Sequence, residues 1–213
     1  MSNPKFPYVN GDLFREHLAF ADFNSDMRHA LLAACAFRWE KISPAVFGSL
    51  FQEVMLPKER RQLGAHFTAE KNILKVIRSL FLDDLRAELD AIKADRSTRR
   101  VARLEEFHAK LATLRFFDPA CGCGNFIIIT YRELRVLELE VLLLKHGRQQ
   151  HFTLDQMTKL SRIDVDQMYG LEIEEFPARI AEVALGLADH QASGTPSPQT
   201  ADCRGCRNTS PGR

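Results

Sequence analysis

The segment FFDPACGCGNF, residues 116–126, puts an acid, a proline and two glycines two positions apart directly ahead of the apolar run IIIT. Gly122 and Gly124 allow a ligand to approach the backbone closely, and amides at the head of the following helix are a ready binding surface. Asp118 adds a negative charge beside them. Chemistry of this kind is recognition of a small molecule by backbone amides and a carboxylate, rather than bond breaking by a side chain.

Two nucleotide cofactors compete for such a turn. A dinucleotide fold wants G-x-G-x-x-G and an acid about 20 residues further on. Here Ile127 stands where the third glycine belongs, and the first acid ending a second strand, Glu172, comes 50 residues after Gly122. Asp118 would also repel a pyrophosphate. S-adenosylmethionine carries no phosphate, and a carboxylate attracts its sulfonium and its ammonium. The residues therefore favour that cofactor over NAD.

The turn must be held by the elements around it. Residues 113–117 read as a short buried strand closed by Asp118-Pro119. Residues 126–146 are helical, with Phe126, Ile129, Leu134, Leu137, Val141 and Leu144 near one face and Gly147 as the stop. MYGLEI, residues 168–173, is a second strand, followed by a helix over 176–190. Strand, turn, helix, strand is the opening of a parallel, doubly wound α/β sheet.

Upstream, residues 13–56 have helical spacing: Phe14, Leu18 and Ala21, then Leu31, Ala34, Cys35 and Arg38, then Val46, Leu50, Phe51 and Val54. Ser43 ahead of Pro44 is an N-cap signal. These stripes and Trp39 predict core. Gly64 breaks the pattern, and Thr68 is the candidate N-cap of a helix reaching about Lys93. Residues 95–103 predict a solvated connection before another amphipathic helix.

The chain has 213 residues, 45% hydrophobic and 27% charged, which fits a soluble globular protein and excludes wholesale disorder. No apolar run near the N-terminus has the length of a signal peptide or a membrane span, and five cysteines without a secretory signal predict reduced thiols and a cytoplasmic protein. A net charge of +1 gives no global pull toward nucleic acid. Residues 193–213 contain no Leu, Ile, Val, Met or aromatic residue, so disorder is expected there. The sheet is left unfinished, and the change of composition reads as a truncation, with the tail a frameshifted or read-through end.

The motif FDPACGCGNF resembles motif I of the amino-methylating DNA methyltransferases, D-P-x-x-G-x-G-x-F. LGAHFT, residues 63–68, resembles motif X of their gamma-class adenine-N6 members, and YGLEIEEFPARIAEVAL, residues 169–185, is similar to motif II and its helix. FPYVNGDLFRE and WEKISPAVFGSLFQEVM resemble the connector of single-chain restriction–modification enzymes of the MmeI type and of related phage-defence methyltransferases. The likeness covers residues 6–191. It implies a helical connector over 1–62, a partial Rossmann-like methyltransferase domain over 63–191, and a tail over 192–213.

The resemblance further implies S-adenosylmethionine as cofactor and double-stranded DNA as the partner of the full-length parent. Asp118, Pro119, Ala120, Gly122 and Gly124 would cradle the methionine part, with the Asp118 carboxylate near its amino group. Glu172 would accept the ribose hydroxyls, Ile173 would pack on adenine, and Phe67 and Thr68 would close the methionine side. Motif IV, N-P-P-F/Y, which forms the base pocket in the family, is absent from these residues; NPKF, residues 3–6, has one proline and lies ahead of motif I. No catalytic residue is therefore assigned, and the chain is expected to be inactive alone.

Plainer explanations stand beside these. Phe67 and Thr68 also fit a core aromatic next to a helix cap, and Glu172 a surface acid. Cys121-x-Cys123 and Cys203-x-x-Cys206 resemble zinc ligands but are better explained as structural or accidental cysteines, so no metal is assigned. The basic groups Lys58, Arg60, Arg61 and Arg96, Arg99, Arg100, Arg103 fit a solvated face better than a phosphate contact. The rival functions are a non-catalytic S-adenosylmethionine-binding or helical docking module and, further off, an NAD-dependent oxidoreductase.

Overall fold

The computed structural model describes residues 22–37, 42–46, 48, 50, 68–146 and 159–193. In chain order its elements are α1 (Ser25–Ala36), α2 (Glu70–Ile77), a π turn (Arg78–Leu82), α3 (Asp83–Ala94), α4 (Arg100–Thr113), β1 (Phe116–Asp118), α5 (Asn125–His146), a 3-10 turn (Val165–Gln167), β2 (Met168–Gly170) and α6 (Glu175–Ser193). The fold is a helix-rich α/β arrangement in which β1 and β2 form a two-stranded parallel sheet. No described helix is long and apolar enough to cross a membrane.

Helix α5 is the centre of the core. Ile127, Ile128, Ile129, Tyr131, Leu134, Leu137, Val141 and Leu142 are all buried along it, which is more of its circumference than a single stripe. Each such aliphatic side chain contributes roughly 1.5–3 kcal/mol by leaving water. Helix α6 packs across it, with the Tyr131 hydroxyl donating to Asp189 Oδ1 at 2.6 Å. On the other side lie α2, α3 and α4.

The run from Glu70 to Ala94 is one helical rod with a defect. Ile73 and Ile77 are buried four residues apart, but the next buried positions are Leu82, Leu85, Leu89 and Ile92. The step from 77 to 82 is one residue too long for an α-helical face. The π turn absorbs the extra residue, closing on Asp83 N–H to Arg78 O, so that the first half of the rod packs on α5 and the second on α4, with Arg86 and Lys93 paired to Glu133 and Glu140 of α5. It also lays the Phe81 ring against Phe116 of β1, with centroids 4.8 Å apart.

Several expectations are corrected. The rod is capped by Ala69 without any side-chain hydrogen bond, so Thr68 is not its N-cap. Ser43 is not a side-chain cap either: its hydroxyl is buried without a hydrogen-bond partner, and Val46 N–H reaches the Ser43 carbonyl instead. The solvated connection ends at Arg99, because α4 begins at Arg100.

Strand β1 starts three residues later than predicted, since α4 holds the chain to Thr113, whose hydroxyl returns to Lys110 O. The strand is not buried on both faces: Phe117 is 61% exposed. Strand β2 runs to Gly170; beyond Leu171 the Glu172 side chain takes up the amides of Ile173 and Glu174, and the following helix opens at Glu175.

Of the stripes over residues 13–56, the described Leu31, Ala34, Cys35 and Leu50 are exposed, while Val46 is half-buried beside the core residue Ala45. Helix α1 has no buried residue, and Phe23, Met27, Leu31 and Leu32 are exposed. Arg38 and Trp39 lie outside the described residues.

A buried carboxylate ties the strands in place. Glu138 of α5 accepts His108 Nε2 of α4 at 2.9 Å, Ser161 Oγ at 2.5 Å, Arg162 N–H at 2.5 Å, Ile163 N–H at 3.1 Å and Arg135 Nη1 at 3.0 Å. Burial alone would raise its pKa, but the bonds from His108, Arg162 and Ser161 and the Arg135 charge outweigh it and hold the carboxyl below its usual range. Beyond Ile163, Asp164 and Gln167 form a reciprocal cap, and Gln167 Nε2 donates to Leu111 O and Leu114 O at the exit of α4. The entry to β2 is thus bolted to the entry to β1.

Replacing Glu138 by Ala strands buried donors from three segments, and breaking such a network typically costs roughly 3–5 kcal/mol. Urea unfolding of Glu138→Ala is expected to show a loss of that order, and a loss under about 1 kcal/mol contradicts the hub. Because the folded-state pKa is depressed, the stabilisation is present above the unfolded value near 4.5 and lost as pH falls through the lower folded value. The difference between wild type and Glu138→Gln is therefore expected to shrink on acidification.

Candidate cofactor-binding site

The two strands end side by side, with Phe116 opposite Met168, Phe117 opposite Tyr169 and Asp118 opposite Gly170. The ladder continues one step past the strands: Leu171 N–H donates to Asp118 O, and Cys121 N–H donates to Leu171 O, each at 2.9 Å. This brings the glycine turn to the tip of β2. The turn itself is an Asx turn, with Ala120 N–H donating to Asp118 Oδ1 at 3.0 Å, followed by Gly124 N–H to Cys121 O at 2.8 Å.

Gly122 and Gly124 have φ of +55° and +81°, the region where L side chains are strained, so the sequence needs glycine at both. Their surroundings differ. A Cβ on Gly122 would meet nothing within 4 Å, which leaves open space over the turn for a ligand. A Cβ on Gly124 would lie 2.8 Å from Ala181 Cβ, so this glycine lets α5 pack against α6.

Glu172 closes the arrangement. Its Oε2 accepts Gly122 N–H at 2.8 Å, and its Oε1 accepts Ile173 N–H at 2.9 Å and Glu174 N–H at 3.0 Å. Next to it Ile173 is 81% exposed, and Phe176 is exposed at the first turn of α6. Burial first, and then the Glu172 charge, push the Cys123 thiol up to about 11. Asp118, Pro119, Ala120, Gly122, Gly124, Glu172 and Ile173 are therefore brought together at one end of the sheet. Thr68 is half-buried ahead of α2, and Phe67 lies outside the described residues.

The sequence reading missed Gly170. A Cβ there would lie 2.7 Å from Cys121 Sγ and 2.9 Å from Ile127 Cδ1. The close approach that a dinucleotide fold obtains from a third glycine in its turn is supplied here by a glycine on the neighbouring strand, which makes room for Ile127. A glycine inside a strand pattern is the signal that could have revealed it. Gly48 is a second case, since its Cβ would lie 2.7 Å from Asn125 Nδ2 at the head of α5.

Residues 92–204 match the family model described as MmeI, DNA-methyltransferase domain. The chain belongs to this family. It resembles the solved structure of the Type IIL restriction-modification enzyme MmeI in complex with DNA, with 55% identity and a TM-score of 0.73 over 88% of this chain and 24% of that one. DNA methyltransferase A of Bacillus subtilis (strain 168) is 40% identical over 190 residues, covering 88% of this chain and 20% of the relative. A putative type II restriction enzyme and methyltransferase of Methanocaldococcus jannaschii is 24% identical over 230 residues, again 88% of this chain and 19% of the relative. The chain thus spans about a fifth of the curated relatives it matches. The segments read as motifs I and II, residues 117–126 and 169–185, fall within the matched family segment, while LGAHFT and the connector segments precede it.

The two glycines of the turn are expected to respond differently to alanine. Gly122→Ala meets only the backbone cost of a positive φ, about 1–2 kcal/mol. Gly124→Ala adds overpacking against Ala181, about 1–3 kcal/mol more. Urea unfolding midpoints of the two variants check the order; equal losses would mean that Gly124 does not govern the α5–α6 contact.

Proposed function

We propose that this chain is the S-adenosylmethionine-binding segment of a Rossmann-like adenine-N6 DNA methyltransferase serving restriction–modification or phage defence in the cytoplasm. The observation that supports it best is the meeting of the glycine turn and the Glu172 carboxylate across two parallel strand ends, with open space above Gly122. Two carboxylates and exposed backbone suit a ligand that carries cations and a ribose diol. They do not suit a pyrophosphate.

When bound, the cofactor supplies an electrophilic methyl group. In this reading Asp118, Pro119, Ala120, Gly122 and Gly124 hold its methionine part, Phe67 and Thr68 close that side, Glu172 binds the ribose, and the exposed Ile173 covers the adenine. All of these residues bind and orient. The target adenine must be flipped out of a duplex into a separate pocket, which the family builds with N-P-P-F/Y, and these residues lack that motif. With a net charge of +1, DNA affinity rests on the longer parent.

Among the described residues, the exposed apolar side of α1 favours a second reading, in which the chain also docks through that helix onto further parts of a methyltransferase. Arg96 and Arg99 are exposed, while Arg103 is tied to Asp95 at 2.8 Å.

Calorimetric titration of the purified chain is expected to show heat with S-adenosylmethionine and none with NAD, and Glu172→Ala is expected to weaken that binding at least tenfold. Transfer of labelled methyl to duplex DNA is expected to stay at background. NAD binding without S-adenosylmethionine binding would reverse the choice of cofactor, and labelled DNA would show that the chain is an enzyme by itself.

A further inference from the structure

Glu172 has too few acceptor sites for everything asked of it. An ionised carboxylate offers about four lone-pair directions. Three are occupied in the structure, by the amides of Gly122, Ile173 and Glu174. A ribose diol donating both hydroxyls needs two. At least one amide must therefore be given up when the ribose arrives.

The three amides are not equivalent. Those of Ile173 and Glu174 are one and two residues away in sequence and share Oε1, so they form with the turn that Glu172 itself makes into α6. The Gly122 amide comes from 50 residues away and is the partner recorded for Oε2. It also sits on a residue without Cβ, at φ +55°, with nothing within 4 Å of where a side chain would point. Turning the Gly122 peptide gives up one further bond, Gly124 N–H to Cys121 O, whereas releasing the Ile173 and Glu174 amides undoes the turn into α6.

We propose that Glu172 is an exchangeable latch: it holds the Gly122 amide until a ribose diol takes over Oε2, and the released amide becomes available to the ligand. This rests on the assignment of the site to S-adenosylmethionine and adds regulation to it. The turn is held in its ligand-accepting conformation by the same carboxylate that later recognises the ligand. Filling the site and freeing the loop are then one event.

The sequence provides a clean probe. Only Gly122 and Gly124 follow a cysteine, so a chain labelled with carbonyl-13C cysteine and 15N glycine shows two Cys-Gly amides. With δ-carbon-13C glutamate also present, the Gly122 nitrogen is expected to show a scalar coupling across its hydrogen bond to the Glu172 carboxylate carbon. In Glu172→Gln that coupling is expected to vanish, while Gly124 reports that the turn is still folded. At saturation with S-adenosylhomocysteine, confirmed by calorimetry, the wild-type Gly122 amide is expected to lose the coupling too.

A Gly122 amide that keeps its coupling to Glu172 in a sample proven to bind S-adenosylhomocysteine overturns the latch and leaves the cofactor assignment intact. A Gly122 coupling that is absent from the free wild type, or unchanged in Glu172→Gln, overturns the latch as well. Absence of any heat or shift with S-adenosylhomocysteine overturns the cofactor assignment, and the ligand-gated latch with it. The wild-type comparison of free and saturated samples decides the matter even if Glu172→Gln does not fold.

Discussion

The buried Glu138 carboxylate is the interaction on which the site's geometry depends. It lies in the middle of α5, takes donors from α4 and from residues 161–163, and so fixes where the chain turns toward β2. Gln167 then joins the start of β2 to the end of α4. With both strands entering from positions fixed to the same helix, their ends are in register. Asp118 falls opposite Gly170, and Glu172 falls within reach of Gly122. A three-residue parallel pair has little stability of its own, so this placement has to come from side chains behind it.

The site was legible in the sequence because it is local. Turn chemistry in residues 118–124 is written in residue types that have few other uses, and the apolar periodicity of α5 is strong enough to place that helix to within one residue. What was not legible depends on partners distant in sequence. Nothing in the sequence near Glu138 marks it as buried, since apart from Arg135 its donors come from residues 23 to 30 positions away. The π turn is visible only as a five-residue step between Ile77 and Leu82, which a helix pattern tolerant of gaps passes over. Gly170 looked like an ordinary strand residue until Cys121 and Ile127 were seen to press on it.

The N-terminal stripes failed for another reason. Periodicity reports that one face of a helix is apolar, not what covers it. Helix α1 is well formed, with Asn24 capping it through Met27 N–H at 2.8 Å, yet its apolar residues face outward among the described residues. The chain is about a fifth as long as its curated relatives, and an apolar face of this kind is suited to contacts with further protein.

The most direct test of the central claim is a crystal structure of the chain soaked with S-adenosylhomocysteine. The account predicts adenosine over Ile173, ribose hydroxyls on Glu172 Oε2, the amino acid part along residues 118–124, and the Gly122 amide withdrawn from Glu172. A ligand bound elsewhere, or a phosphate-bearing nucleotide preferred over the same turn, would contradict it.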